Sequence, residues 1–336
     1  MATISVVLGQ SYWFYDVKRG YILKIVDLKN RIEITECSFP LCLILGNFDG
    51  IHLGHLELIK KAKSEGKRFG LKVGIWTFEE HPMNTLSGKK NAYLTSNEEK
   101  NEIFAKNGLD YVIYEDFSSV KSYSPEEFVD IILTQKLDCR LAVCGFNFRF
   151  GNNRAGTPEL LTELLKKTNR NVIITAPVCT DKGIISSTSI REAIEAGDIE
   201  RANSMLGRPY SATLPVIRGK QLGRTIGIPT INQIFPANKV KLKNGIYTST
   251  CLIDGKTFMG VSNVGSRPTV NDNAYDINCE THIIDYDGCL YGEKIKVSFY
   301  KKLRDEQKFD GVESLKEAIE KDIVSVREYF SKNQGN

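Results

Sequence analysis

Residues 42–55, CLILGNFDGIHLGH, constrain the fold more than any other stretch of this chain. Cys42 to Leu45 have the length and composition of a buried strand. Gly46 and Gly50 then punctuate a turn. His52 and His55 stand where a helical stretch begins, with Leu56, Ile59 and Ala62 at helical spacing and Gly66 as the expected stop. A strand, a glycine turn and a helix N-terminus make an anion site, because free backbone N–H groups and the helix dipole both favour phosphate. An imidazole there can donate to an oxygen on which charge develops. The bland alternative is a pair of surface histidines. Against it, the chain has 4 histidines in all, and two of them share this tetrapeptide.

The chain of 336 residues is long enough for two domains of roughly 150 residues, each with its own core. A net charge of +4 permits nucleotide binding without arguing for nucleic acid. No stretch is long and apolar enough to span a membrane. The beginning, MATISVVLGQSYWFYDVKRGY, has no basic n-region and no small-residue cleavage site, so no signal peptide is expected. The 8 cysteines form no C-x-x-C pair, and Cys42, Cys144 and Cys251 sit in apolar runs as small hydrophobes. A reducing, cytoplasmic location is the expectation.

Residues 22–186 alternate strand-like and helix-like segments, which implies a parallel sheet with right-handed crossovers and ligands at the carboxyl ends of its strands. The segment 124–137 opens with a capping box, Ser124 and Glu127, with Pro125 at the first helical position. Phe128, Ile131, Ile132 and Gln135 are its expected buried face. Two short glycine-stopped helices over 187–206 read as a connector. After Pro209 the chain becomes short, β-rich segments separated by turn residues, expected to form an antiparallel barrel or sandwich. The chain closes on an amphipathic helix with Val312, Leu315, Ile319, Ile323, Val326 and Phe330 on one face.

Further stretches carry polar chemistry. TFEEHP (77–82) follows a strand and holds His81, which otherwise reads as part of a polar loop. In CGFNFRFGNNRAGT (144–157), Phe148 and Phe150 could stack on a flat ring, Arg149 and Arg154 could pair with phosphates, and Asn147 could bond a ring edge. Alone, this stretch is equally a glycine-rich loop with chance arginines. ISSTSIR (185–191) sets Ser186, Ser187 and Thr188 at a helix start with Arg191 on its first turn; one hydroxyl would be a plain N-cap, whereas the group makes a phosphate cradle. IRGKQLGRTIGIPTIN (217–232) is not a Walker loop. Its backbone can still wrap phosphate, and Thr230 and Asn232 share one face of a strand where both oxygens can reach one Mg²⁺. In NCETHI (278–283), Asn278, Glu280 and His282 alternate with apolar positions, as in a wall with one side in a core.

GNFDGIHLGH resembles the HxGH signature of nucleotidyltransferases and, over its ten residues, that of prokaryotic bifunctional riboflavin kinase/FMN adenylyltransferases. The other motifs resemble that family's segments in the same order, over roughly residues 22–330. TFEEHP has Glu80 where the family usually has proline. The fold implied is a Rossmann-like α/β nucleotidyltransferase domain, then a C-terminal antiparallel β-barrel with a terminal helix. The domains would be 22–186 for FMN adenylylation, 187–206 as connector and 207–336 for riboflavin phosphorylation, with 1–21 an extension of unclear role. The resemblance implies that His52 and His55 act in adenylyl transfer and Glu280 is the base for the riboflavin hydroxyl. It implies nucleotide or flavin contacts for Gly46, Asn47, Phe48, Asp49, His81, Asn147, Arg149, Arg154, Ser186, Ser187, Thr188 and Arg191. In the second domain it implies Gly219, Lys220, Gly223, Arg224, Arg267 and Arg304, with Thr230 and Asn232 on Mg²⁺. ATP, riboflavin, FMN and FAD are the implied substrates and products. No nucleic-acid or membrane partner is implied, and a monomer or weak homo-oligomer is expected. The rival readings are a single-activity adenylyltransferase whose β domain only binds flavin or a partner, and an RNA-binding barrel.

Overall fold

The computed structural model describes residues 3–8, 11–16, 21–28, 40–80, 82, 92–219, 222–268 and 275–333. It divides into two compact units, Ala2–Ile185 and Ser186–Asn336.

The first unit is built on one sheet of β1 (Thr3–Leu8), β2 (Ser11–Asp16), β3 (Tyr21–Asp27), β4 (Leu41–Leu45), β5 (Lys72–Phe78), β6 (Tyr111–Glu115), β7 (Cys139–Gly145) and β8 (Asn171–Thr175). Its order is β1-β2-β3-β6-β5-β4-β7-β8. From β3 to β8 all neighbours are parallel, while β1 and β2 add an antiparallel edge, which gives the N-terminal extension a place in the sheet. The order reverses at β4, whose successors β5 and β6 lie to one side and β7 and β8 to the other. Such a switch point leaves a crevice at the carboxyl ends of the two strands that flank it. The parallel register Leu45↔Cys144 brings the turns after β4 and β7 out side by side.

Every residue of β4 is buried, as a central parallel strand requires. Leu41, Leu43 and Leu45 enter one apolar layer with Trp76, Ile113 and Phe128. Cys42 and Ile44 enter the other, with Ile59 and Ala62 of α1 (Leu53–Phe69) and Phe104 of α2 (Asn97–Lys106). The helix α3 (Pro158–Lys166), capped by Thr157, closes the first layer.

Two local expectations fail for packing reasons. Gly66 does not end α1; the helix runs on to Gly70, whose φ of 66° makes the left-handed cap. A Cβ on Gly66 would lie 2.5 Å from the Val73 side chain, so this glycine lets the helix sit tightly on β5. After the Ser124–Glu127 capping box, which forms, Phe128–Lys136 is wound as a π-helix. The wider turn buries Phe128, Val129, Ile132 and Leu133, and Gln135 instead points out and donates to Asp130.

The second unit begins with α4 (Ser187–Ala196) and α5 (Ile199–Leu206), the helices read as a connector. They are part of this unit: Ile199, Ala202, Met205 and Leu206 are buried, and Asn203 donates to Phe299 O at 2.8 Å and accepts from Tyr210 N at 2.7 Å. Beyond the two-residue hairpin strands β9 (Cys179–Thr180) and β10 (Gly183–Ile184) of the first unit, the chain forms a six-stranded antiparallel sheet. Its strands are β11 (Tyr210–Pro215), β12 (Thr230–Phe235), β13 (Gly245–Ile253), β14 (Lys256–Pro268), β15 (Tyr275–Ile283) and β16 (Lys294–Arg304), in the order β11-β16-β13-β14-β15-β12. The sheet curls until its edges meet. Gln233 of β12 donates to Leu214 O of β11 at 2.7 Å, and Ile217 bridges to Asn232.

The terminal helix α6 (Val312–Asn333) covers Ile246, Val261 and Ile284 with Val326, Ile323 and Phe330, while Val312, expected on that face, is exposed. Arg304 is held by α6: its Nε and Nη2 donate to the two carboxylate oxygens of Asp322 at 3.0 and 2.7 Å. That fork ties the guanidinium to α6. Replacing Asp322, whose side chain is 9% exposed, with Ala should cost about 2–4 kcal/mol by stranding Arg304. Chemical denaturation of the full chain measures it. A midpoint unchanged from wild type would show that the pair is only surface decoration.

Candidate active sites

At the carboxyl end of β4 the backbone turns left-handed three times in four residues, at Phe48 (φ 48°), Gly50 (φ 84°) and Ile51 (φ 41°). For a branched residue such as Ile51 this is strained, and the surroundings must enforce it. They do so through buried side chains. Phe48 and Ile51 are wholly buried, and the Phe48 ring packs edge-on to Phe104 at 6.0 Å. Asp49 accepts from Leu94 N at 2.9 Å and Thr95 N at 3.3 Å. Phe48 and Asp49, expected at the nucleotide, are therefore anchors of the turn. Gly46 and Asn47 remain half-buried at its mouth, where Asn47 O accepts from Thr77 Oγ1 at 3.2 Å.

His52 is the extended residue that precedes α1, and its ring stacks on that of His55 with centroids 3.7 Å apart and planes 20° from parallel. A Cβ on Gly54 would come within 3.0 Å of the His52 ring. The glycine of His-x-Gly-His thus makes room for the two imidazoles to lie together at the helix N-terminus, where backbone N–H groups favour phosphate.

Beside them, after β7, Asn147, Arg149 and Arg154 are exposed, with Arg149 Nη1 donating to Phe148 O at 2.8 Å. Phe148 and Phe150 do not form a free platform. Their rings stack on each other at 5.7 Å, and Phe150 is buried. The aromatic presented to solvent here is Phe146, 41% exposed. Gly156 is where it is because a Cβ would lie 2.6 Å from the Phe150 ring. His81 lies outside the described residues.

Ser186, Ser187, Thr188 and Arg191 head the second unit. Ser186 is the N-cap of α4 and accepts from Ser189 N at 3.1 Å, so one hydroxyl of the trio serves the helix itself.

The second constellation lies across β12, β15 and β14. Register pairs Asn232 with Glu280 and Glu280 with Asn263, and pairs Thr230 with His282. Directly paired residues share a face, so these side chains form one polar patch. The opposite face is buried: Gln233, Cys279, Thr281 and Ser262, with a hydroxyl chain from Thr281 through Ser262 to Ser249 at 2.7 Å per link. Asn278 Nδ2 donates to Glu280 Oε1 at 2.8 Å and orients that carboxylate. His282 Nδ1 lies 2.9 Å from Pro229 O, which fixes the strand before Thr230. Asn232 is 5% exposed, and among the described residues its Oδ1 has no hydrogen-bond partner. A Cβ on Gly219 would sit 2.5 Å from that same side chain, so the glycine loop closes directly over it. Gly223 is held in a turn by Ile228 N donating to its carbonyl at 2.8 Å. Lys220 and the side chains of Arg224 and Arg267 lie outside the described part.

Asn263 opens the segment NVGSRPT (263–269), which resembles a riboflavin-kinase segment but assigns Asn263 no role; its buried Oδ1 also lacks a partner among the described residues. Its signal was the register with Glu280, which only pairing reveals. Reading the sequence missed Glu115, which is 2% exposed at the end of β6, where burial pushes its pKa above the ordinary carboxylate range. Nothing in the local sequence marks it.

A histidine pair at the switch point of a doubly wound sheet, joined in one chain to a curled antiparallel sheet with an Asn/Glu/Asn patch, defines a two-unit phosphoryl- and nucleotidyl-transfer protein. The FAD synthetase family model matches residues 35–189 and the riboflavin kinase family model matches 206–330. The chain is 37% identical to the bifunctional riboflavin kinase/FMN adenylyltransferase of Listeria monocytogenes, over 92% of this chain and 99% of that one. It is 34% identical to the protein of the same name from Bacillus subtilis, over 89% and 95%. A solved structure described as a macrolide-efflux protein from Streptococcus pneumoniae superposes with a TM-score of 0.79 at 26% identity, covering 90% of this chain and 98% of that one. Among the described residues, no helix is long and apolar enough to cross a membrane. The chain belongs to the bifunctional riboflavin kinase/FMN adenylyltransferase family, and it is an enzyme carrying both a riboflavin kinase and an FMN adenylyltransferase domain.

Proposed function

We propose that the two activities are divided between the two constellations. The Asn232–Glu280–Asn263 patch phosphorylates riboflavin with ATP to give FMN, and the His52/His55 site transfers the adenylyl group of a second ATP to FMN, giving FAD and pyrophosphate. The observation that carries this division is the pairing of Glu280 between two asparagines whose buried amide oxygens lack a partner among the described residues.

In the kinase reaction Glu280, oriented by Asn278, takes the proton of the riboflavin 5′-hydroxyl as that oxygen attacks the γ-phosphorus. Asn232 and Thr230 would hold Mg²⁺. A buried amide oxygen without a protein donor fits an oxygen-seeking cation, which neutralises phosphate charge when bound. The loop around Gly219 and Gly223, with Lys220, Arg224 and Arg267, would wrap the phosphates.

In the adenylyl transfer no protein nucleophile is needed, because the FMN phosphate attacks the α-phosphorus in line. The stacked imidazoles donate to oxygens where negative charge grows, beside the N–H groups of the first turn of α1. Asn147, Arg149, Arg154 and His81 would contact flavin or nucleotide. Ser187, Thr188 and Arg191 would bind ATP phosphates. The adenylylating region would be residues 22–186 and the kinase region residues 207–336, with 187–206 between them. The enzyme would act in the cytoplasm on small molecules alone, as a monomer or weak homo-oligomer.

Incubating the purified chain with riboflavin, ATP and Mg²⁺ and separating the products by chromatography tests this. FMN should appear first and FAD after it, and chelating the cation should stop phosphorylation. Conversion of supplied FMN to FAD with no phosphorylation of riboflavin would favour the rival in which the β unit only binds flavin.

A further inference from the structure

Of the chain's 4 histidines, His282 alone stands in the second unit, beside the kinase patch and without a role in it. It faces Thr230 across the ladder of β12 and β15, and two residues along each strand Asn232 faces Glu280. The four side chains therefore share one face of the sheet. His282 Nδ1 lies 2.9 Å from Pro229 O. A carbonyl oxygen only accepts, so Nδ1 carries a hydrogen and donates, whether the ring is neutral or protonated. Pro229 ends a turn that is closed on itself. Ile228 N donates to Gly223 O at 2.8 Å, Ile226 N donates to the same carbonyl at 3.3 Å, and Gly227 takes a left-handed φ of 79°. A Cβ on Gly223 would collide with Ile228 O, so the turn packs backbone on backbone. Proline has no N–H to give a ladder, which leaves its carbonyl as the group by which residue 229 can be held. The imidazole of His282 takes that carbonyl and fastens the end of the turn to the strand that carries Glu280.

We infer that His282 is a positioning residue for riboflavin phosphorylation. Through Nδ1–H it fixes the Gly223–Pro229 turn, and Thr230 next to it, at a set distance from Glu280. The imidazole touches neither substrate. Phosphoryl transfer leaves the protein little covalent chemistry and depends on holding the phosphates and the attacking hydroxyl in line. The turn and Thr230 set the phosphate side of that line, and Glu280 sets the hydroxyl side. One hydrogen bond from β15 to Pro229 couples the two. The inference rests on the Glu280 patch being the kinase site.

The test uses the full chain and compares His282→Ala, His282→Asn and His282→Gln, with Glu280→Gln measured beside them. The Asn amide nitrogen is bonded to Cγ as Nδ1 is, whereas the Gln amide nitrogen lies one atom further out, as Nε2 does. His282→Ala should lose about 10–10²-fold in kcat for riboflavin phosphorylation, the scale of a small misplacement of reacting groups. Its KM for ATP should rise about 2–10-fold, the worth of one hydrogen bond. Its KM for riboflavin should stay within about threefold of wild type, because Glu280 and Asn278 are untouched. His282→Asn should bring kcat back to within about threefold of wild type, and His282→Gln should behave like His282→Ala. FMN adenylylation by the same preparations reports that the rest of the chain is sound.

A folded His282→Ala with kcat and KM for ATP within about twofold of wild type would overturn the inference. So would a lowered thermal midpoint with normal kinetics, an equal rise of both KM values, or rescue by Gln in place of Asn, which would put the function on Nε2. If His282→Ala does not fold, the other two decide: His282→Asn must stay near wild type and His282→Gln must fall. A Glu280→Gln variant that phosphorylates riboflavin at the wild-type rate would instead remove the site assignment itself.

Discussion

Glu280→Gln should lower riboflavin phosphorylation by about 10²–10⁴-fold, the usual contribution of a positioned base. The substitution preserves shape, and the new amide oxygen can still accept from Asn278, which now holds the carboxylate at 2.8 Å. What is lost is the ability to take a proton from the riboflavin hydroxyl. Supplied FMN should still become FAD at the wild-type rate, since in the proposed division that reaction belongs to the histidine pair. Riboflavin affinity should largely persist, because removing a group that acts in the transition state lowers kcat more than binding. A variant that makes FMN within about tenfold of wild type would reduce Glu280 to a polar wall residue between Asn232 and Asn263. Steady-state rates of both reactions on one preparation distinguish these outcomes.

The architecture was legible because the sequence patterns were long and redundant. Alternating strand and helix segments define the parallel sheet, and short β segments after Pro209 define the antiparallel one. The strand before His52 could be read directly, since a run of five buried residues has only apolar choices. What could not be read was which conspicuous residues face a ligand and which face the core. Phe48, Asp49 and Phe150 belong to motifs that resemble ligand-binding segments, yet Phe48 and Phe150 pack inward and Asp49 accepts backbone N–H groups from a segment 45 residues away. Such long-range partners leave no local signal. Arg304 likewise meets a distant partner, Asp322 on α6, that its own segment does not announce.

Glycines divide along the same line. Gly54 and Gly219 serve the sites by letting His52 and Asn232 occupy space a side chain would fill, whereas Gly66 and Gly156 serve only packing. In sequence all four look alike. The expected first domain ends within a residue of the observed division, whereas the helices read as a connector belong to the second unit: α5 ends in a glycine, as a connector helix would, but its buried face and Asn203 belong to β11 and β16.

His52→Ala should abolish most FMN adenylylation while leaving riboflavin phosphorylation intact. The imidazole is 7% exposed, lies against His55 at 3.7 Å, and sits at the start of α1, where unpaired backbone N–H groups favour an anion. A donor aimed at charge that develops during reaction is worth about 10²–10³-fold in kcat in a site sheltered from water. The stack also means that the two rings are not independent. His55→Ala should remove the surface on which His52 rests, so the double variant should be little slower than the worse single one. Because Gly54 leaves the space that the His52 ring fills, Gly54→Ala should displace that ring and reproduce part of the His52→Ala loss without deleting either imidazole. Rates of FAD formation from FMN and ATP across these four variants, with riboflavin phosphorylation as the internal reference, decide the matter. Equal loss of both activities in a folded His52→Ala protein would mean that the two reactions share one site.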